Sequence, residues 1–398
     1  MEKSAENIEL RSAIKEISKG TPFYLRPYKE PKVWGVNGIG EYWYGAEKGD
    51  KSSIAVIGNN TIQMSEIARV ASQVVLGEGV TRKFGSAMPL VKILTPSGRL
   101  SVQFHDSKNE LWIVTGIDEA ITGEDPCIIV GFSKEVVDKY GKRVTEEYGN
   151  VLKEYGKALN QLIDFLEDHE NGKTILYDKK DVLLAAEEIL KQEKVSLISE
   201  GIDLLKTSRK QMERFYHYRK VKIGDVIPIP AGTLHALGSG IEIVEPQIPG
   251  PTQSLEDGET YPVRYYFPGY ERDGARKKLD IDRVDEMIPA VTQNVFAEKI
   301  EDLAEYTVER LPGNFADKGL EVHRILFQDK ARIEKQSIDS FHTLVAVEGD
   351  VKVLMGDRSY NVPLACAGCE MLVIPAVCPK YVIEGTKRAQ VIDTFTPV

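Results

Sequence analysis

In the stretch LSVQFHDSKNELWIV, residues 100–114, three side chains able to bind a metal, Gln103, His105 and Glu110, fall close together. Alternate residues of a strand share a face, so Gln103 and His105 project together. The intervening DSKN is rich in turn formers and predicts a tight hairpin that sets Glu110, on the return strand, opposite His105. A fourth donor is expected from His235 in PAGTLHALG, at a strand–turn junction. Two imidazoles, a carboxylate and a carboxamide suit zinc and admit other divalent ions. A solvated strand face would show the same Gln-x-His alternation, so spacing alone leaves both readings open.

The elements that must position these residues are mostly strands. From about Pro22 to Phe132, short segments such as SSIAVIG, LVKILTP, RLSVQFH, ELWIVTG and CIIVGF are broken by Gly, Pro, Asn and Asp, the pattern of an antiparallel β region. From Lys134 to about Glu213 the period lengthens, with Leu152, Tyr155, Leu159, Leu162 and Leu166 on one helical face. Strands return in RKVKIGDVIPIPAGTLHALGSGIEIVEPQ, and a final block over 320–398 repeats the β style. The fold class is therefore mainly β with a helical insertion. The expected division is 1–133 with 214–319 as the unit carrying the ligands, 134–213 as a helical domain, and 320–398 as a second β unit.

IPIPAGTLHAL near residue 230 and LVIPAVCPKYV near residue 375 share an Ile-Pro-Ala core, and in that alignment Lys380 stands where His235 stands. An internal duplication in which one copy lost its ligands accounts for this.

The chain has 398 residues, 42% of them hydrophobic, and a formal net charge of -10. That length supports about two to three domains. The acidic balance opposes a general nucleic-acid or anionic-membrane surface and leaves room for a small cationic pocket. No apolar run approaches the roughly 20 residues that span a bilayer, and the charged N-terminus is unlike a signal peptide, so a cytoplasmic location is expected. Of the four cysteines, Cys366 and Cys369 form a CxxC, but ACAGCEMLVIP reads as a turn entering a strand, not as a zinc or redox site.

An ordered set of segments resembles the type I mannose-6-phosphate isomerases, zinc-dependent enzymes of the cupin fold. These are GEYWYGAE, LSVQFH, KNELW, IPAGTLHALGSG, EIVEPQ, and YPVRYYFPG with ERDGARKKLDI. The resemblance covers about residues 22–398. It implies two cupin-type (jelly-roll) β-barrels plus an α-helical domain, with the C-terminal barrel lacking metal ligands. It also implies one zinc per chain, replaceable by other divalent ions, on Gln103, His105, Glu110 and His235. Arg264 then matches the active-site arginine, Glu245 an active-site acid, and Ser101 and Lys108 positions associated with the sugar phosphate, with Lys108 also a candidate proton shuttle. The sequence departs from the family between His105 and Glu110, where DSKN replaces a much longer segment; the Pro-Gly-rich run between Glu245 and Arg264 is the expected replacement for that part of the pocket wall.

The implied activity is interconversion of mannose 6-phosphate and fructose 6-phosphate, by proton transfer between C1 and C2 through an enediol. The partner is then a small sugar phosphate, with neither nucleic acid nor membrane, and the chain is a monomer or a homo-oligomer. Two other readings stand beside it. A non-haem metal oxygenase would use two histidines and a carboxylate and depend on oxygen. A sugar-phosphate-binding protein of the same fold would bind without turnover.

Overall fold

The computed structural model describes residues 2–45, 51–105, 108–179, 181–192, 196–248, 259–263, 279–288, 297–313, 315–337 and 339–398, the side chains of 2–7 and 259–262 aside. The chain is mainly β, with several antiparallel sheets and a block of helices between Lys134 and Glu213. Ser133 opens that block as a helix cap, its side chain accepting from the Val136 amide. The longest helix, Val144–Glu167, buries Leu152, Tyr155, Leu159, Leu162 and Leu166 along one face, the stripe read from the sequence.

A six-stranded sheet runs Val226–Ile229, Glu110–Ile117, Ile241–Gln247, Leu90–Leu94, Ile39–Tyr44, Tyr28–Val36. A five-stranded sheet runs Tyr216–Lys220, Cys127–Phe132, His235–Ala236, Val102–His105, Glu259–Val263. Trp112, Val114, Ile227 and Ile243 of the first sheet share a core with Ile128 and Val130 of the second, so the two form a sandwich. The other face of the five-stranded sheet, through Val102, Phe104, Phe132 and Ala236, packs on the helical block.

A second sandwich pairs a nine-stranded sheet with a four-stranded one, around Ile325, Leu344, Leu372, Val353 and Ile383. Between the two sandwiches lies a further core, in which Tyr44, Ile93 and Ile113 meet Val345, Met371 and Val373. Six strands of the nine-stranded sheet run Met371–Ile374, His342–Glu348, Gln390–Phe395, Glu321–Phe327, Tyr306–Arg310, Glu298–Asp302, which repeats the six-stranded order position by position. The four-stranded sheet, Arg358–Val362, Val351–Met355, Tyr381–Gly385, Ala331–Lys335, likewise repeats four strands of the five-stranded one. The helical block occupies the place that a two-residue turn, Gly356–Asp357, fills in the second sandwich.

Two features depart from the sequence reading, and the helix Glu2–Ile17 precedes the stretch for which elements are predicted. The stretch 64–84 is helical, as Met64–Leu76 and Glu78–Phe84. Met64–Leu76 buries Ile67, Ala71 and Val75, spaced by four, against the core between the sandwiches. The edge of the C-terminal sheet is built by the N-terminal strands Phe23–Arg26, Ile54–Ile57 and Asn60–Gln63, so a boundary drawn at residue 320 does not coincide with a sheet boundary. CAGC is a turn, closed by Cys369 N–H to the Cys366 carbonyl, and leads into Met371–Ile374 as expected.

Candidate metal centre

Val102 and Phe104 face the helical core, so Gln103 and His105, one position out of phase, face the inside of the first sandwich. Gln103 pairs with His235 in register. Glu110 does not return along His105 in a hairpin. The chain crosses after His105 from the five-stranded to the six-stranded sheet, where Glu110 pairs with Ile229 and Gln247. Turn-forming residues predicted local pairing; the sandwich instead places Glu110 opposite the histidines across the interior. Asp106 and Ser107 of that crossing lie outside the described residues.

The Pro-Ala-Gly turn is held on both sides of the crossing. The Ala231 amide donates to Asn109 Oδ1 at 2.8 Å, and the Gly232 amide donates to the His105 carbonyl. Gly232 has φ of +80°, and a Cβ there would meet Ile288 Cγ1 at 2.9 Å. Glycine is thus required twice over, by conformation and by space. The turn delivers His235 as the first residue of its strand, wholly buried.

His105 Nε2 lies 3.1 Å from Glu110 Oε1, and His235 Nε2 lies 3.8 Å from Glu110 Oε2. Among the described residues this is the group of His, Cys, Asp and Glu side chains able to hold a metal ion, with donor atoms all within 4.8 Å of one another. Donors on a four-coordinate ion with bonds of about 2.1 Å stand about 3.4 Å apart, so the spacing fits. His235 Nδ1 donates to the Thr233 carbonyl at 2.7 Å, which leaves Nε2 as the free lone pair. Nε2 of His105 and Nε2 of His235 are buried without a hydrogen-bond partner, as expected of lone pairs kept for an ion; His105 Nδ1 is buried and unpartnered as well. Burial, and then the neighbouring His105, push the His235 imidazole down to about 4, so it is neutral at pH 7.

Burial acts to raise the Glu110 carboxyl, but Lys108, in contact with Oε1, and the two histidines hold it well below the usual range. Trp112 Nε1–H donates to the other oxygen at 3.2 Å, and the Trp112 ring meets His235 edge-on at 5.4 Å between centroids.

Behind this group the six-stranded sheet carries a buried charge chain, of which sequence reasoning singled out Glu245 alone. Lys92 Nζ stands 3.5 Å from Glu245 Oε1 and 3.5 Å from Glu41 Oε2; Glu41 also meets Lys32 at 3.1 Å and accepts from Trp43 Nε1 at 2.8 Å. Burial and the Glu110 carboxylate on the neighbouring strand push the Glu245 carboxyl up to about 8, with Lys92 and Lys108 pulling it back. At Glu41 burial acts to raise the carboxyl, but Lys92 and Lys32 outweigh it and hold it at about 2. The signal was a lysine inside the apolar run LVKIL, since a buried ammonium needs a carboxylate partner. Gln247 was also passed over: it is buried, faces the same interior two residues after Glu245, and its Oε1 has no partner.

Ser101 sits half-buried one residue before Val102–His105. Arg264 lies outside the described residues, as does most of the run between Glu245 and Arg264 that was expected to rebuild the pocket wall. No described helix is long and apolar enough to cross a membrane.

No family model and no curated protein sequence matches the chain. Solved structures do. Mannose 6-phosphate isomerase from Bacillus subtilis is 16% identical with a TM-score of 0.59, over 94% of this chain and 99% of that one. A mutant of phosphomannose isomerase from Salmonella typhimurium is 13% identical with a TM-score of 0.63, over 95% and 100%. A zinc-bound mannose 6-phosphate isomerase is 14% identical with a TM-score of 0.61, over 95% and 100%. The resemblance read from the sequence motifs thus extends to structure: nearly the whole chain has the fold of these isomerases.

Proposed function

We propose that the chain is a metal-dependent aldose–ketose isomerase that interconverts mannose 6-phosphate and fructose 6-phosphate on a cupin-type scaffold. The observation that carries this reading is the convergence of His105, Glu110 and His235, buried and with free imidazole lone pairs, beside the Lys92–Glu245 pair. Gln103, His105, Glu110 and His235 would hold the ion. A zinc or other divalent ion bound there supplies Lewis-acid polarisation of the substrate carbonyl.

The protein's own groups do the rest. Isomerisation removes the C2 proton of the aldose and returns a proton to C1, while the O2 hydroxyl proton passes to O1. Glu245, raised to about 8 and held by Lys92, is the group assigned to that transfer, because an acid–base catalyst works best with a pKa near the working pH. Lys108 anchors Glu110 and supplies a cation beside the reacting oxygens. Ser101 and Arg264 are assigned to the sugar phosphate, whose binding energy is remote from the reacting carbons.

The test is a coupled isomerase assay on zinc-loaded protein with mannose 6-phosphate, with metal analysis of wild type, His105→Ala and His235→Ala. Turnover with about one ion per chain, lost with the ion in both variants, is expected. Saturable sugar-phosphate binding without turnover by metal-replete protein would select the non-catalytic reading, and activity that requires oxygen would select the oxygenase.

A further inference from the structure

Among the described residues the His/Glu group lies in the first sandwich, and the register of the second puts a different polar set at the matching positions. Ile229 pairs with Glu110 and Ile374 pairs with His342, each isoleucine heading an Ile-Pro-Ala run. On the next strand Gln247 pairs with Glu110 and Phe395 with His342; two residues earlier stand Glu245 and Asp393. Lys92 pairs with Glu245, and His323 pairs with Asp393. On the facing sheets Gln103 pairs with His235 and Lys335 with Tyr381, where His235 and Tyr381 each begin their strand. Structural equivalence therefore assigns Tyr381, not Lys380, to the place of His235. Lys380 is exposed and tied to Glu334 at 2.6 Å.

The matching positions in the second sandwich hold unspent donors. Asp393 is buried and its charge is met within the protein, since His342 Nδ1 lies 2.9 and 3.1 Å from its two oxygens. Tyr381 is 1% exposed and its hydroxyl has no hydrogen-bond partner. A buried phenol ordinarily finds one. Ser337 Oγ, two residues beyond Lys335, is also buried and unpartnered. Lys335 follows the core residue Ile333 by two, which puts it on the inward face of its strand, near enough for its charge to act on Asp393. Two hydroxyls without partners and a lysine on the same inward face, beside a carboxylate already paired with an imidazole, suit a ligand rich in acceptors and negative charge.

We propose that the C-terminal sandwich binds a small oxyanion, a phosphate ion or the phosphate group of a sugar phosphate, through Lys335, Tyr381 and Ser337 beside the His342–Asp393 pair. It is a second site, on the other repeat, and it stands whether or not the first sandwich is an isomerase.

The experiment is side-chain NMR of the full chain labelled at histidine, titrated with sodium phosphate and separately with fructose 6-phosphate. Signals are assigned from His342→Gln and His323→Gln. A saturable shift of the His342 signals is expected with at least one of the two probes, and which one moves them identifies the source of the phosphate group. Lys335→Gln and Tyr381→Phe should each weaken that binding about tenfold or more. Tyr381→Phe keeps the ring and hence the core, and His105 and His235 signals at their wild-type positions verify the fold of each variant. No movement of His342 with either probe, movement confined to His105 and His235, or binding unchanged in both variants would overturn the proposal.

Discussion

The two sandwiches use one strand order for two different contents. At equivalent positions the first holds Glu110, Glu245, Lys92, Gln103 and His235, and the second holds His342, Asp393, His323, Lys335 and Tyr381. In the first, carboxylates and imidazoles face one another with free lone pairs, and a lysine offsets the carboxylates behind them. In the second, imidazole and carboxylate are already paired and the free groups are hydroxyls. The scaffold decides which positions look into the interior. The side chains at a handful of those positions decide whether the site suits a cation or an anion.

The largest effect that would sharpen this contrast is kinetic. Glu110→Ala should lower isomerase turnover by on the order of 10³-fold, the scale of losing Lewis-acid stabilisation, whereas His342→Gln should leave it within about twofold. Equal losses in a steady-state assay would mean that the two sandwiches share one function.

Next comes stability. Lys92→Met leaves Glu41 and Glu245 buried without their shared cation and should cost about 3–5 kcal/mol in urea unfolding. Its counterpart His323→Gln should cost about 1 kcal/mol, because His323 is partly exposed and bonds to Glu321 near the surface. A reversed ranking would break the picture of the first sandwich as the one built around buried charge.

A third test uses acid. The Glu41 carboxyl, at about 2 in the fold against an ordinary 4.5, binds its proton more weakly in the native than in the unfolded chain. Its stabilisation is therefore complete above pH 4.5 and is lost as pH falls toward 2, by about 3 kcal/mol. At Asp393 burial acts to raise the carboxyl, but His342 overcomes it and lowers the pKa, so its contribution has the same sign. Glu41→Gln and Asp393→Asn should each flatten part of the acid limb in unfolding curves taken between pH 5 and 2. A limb unchanged by either variant would remove that residue from the account.

The smallest expected effect is none. Lys380→His should leave metal content unchanged, because position 380 is exposed. A second bound ion would restore the simple sequence alignment of the two Ile-Pro-Ala runs.

Much of this was legible in the sequence. Period two placed Gln103 and His105 on one face, the longer period marked the helical block, and the Ile-Pro-Ala repeat hinted at two related units. What a local pattern cannot carry is the identity of a partner. DSKN has the composition of a hairpin turn, and only the second sheet, in which Glu110–Ile117 pairs with segments more than a hundred residues further on, makes it a crossing. Lys92 and Glu41 were hidden for the same reason, since each looks like a stray charge in an apolar strand until its partners are seen. Met64–Leu76 was obscured by the strand-rich segments around it, although Ile67, Ala71 and Val75 carry its helical spacing.

The strand Phe23–Arg26 lies between Ile54–Ile57, its near neighbour in the chain, and Met371–Ile374, with Phe23 set against Val373. A ribosome making this protein would deliver the first of these strands long before the last. One edge of it must wait, unpaired, until residues 371–374 have been made, and an open strand edge invites pairing with other chains. Contacts of such sequence separation also slow folding. The C-terminal sandwich thus serves the nascent chain as a late-arriving clasp, and a product truncated before residue 371 should aggregate rather than fold to the remaining sandwich.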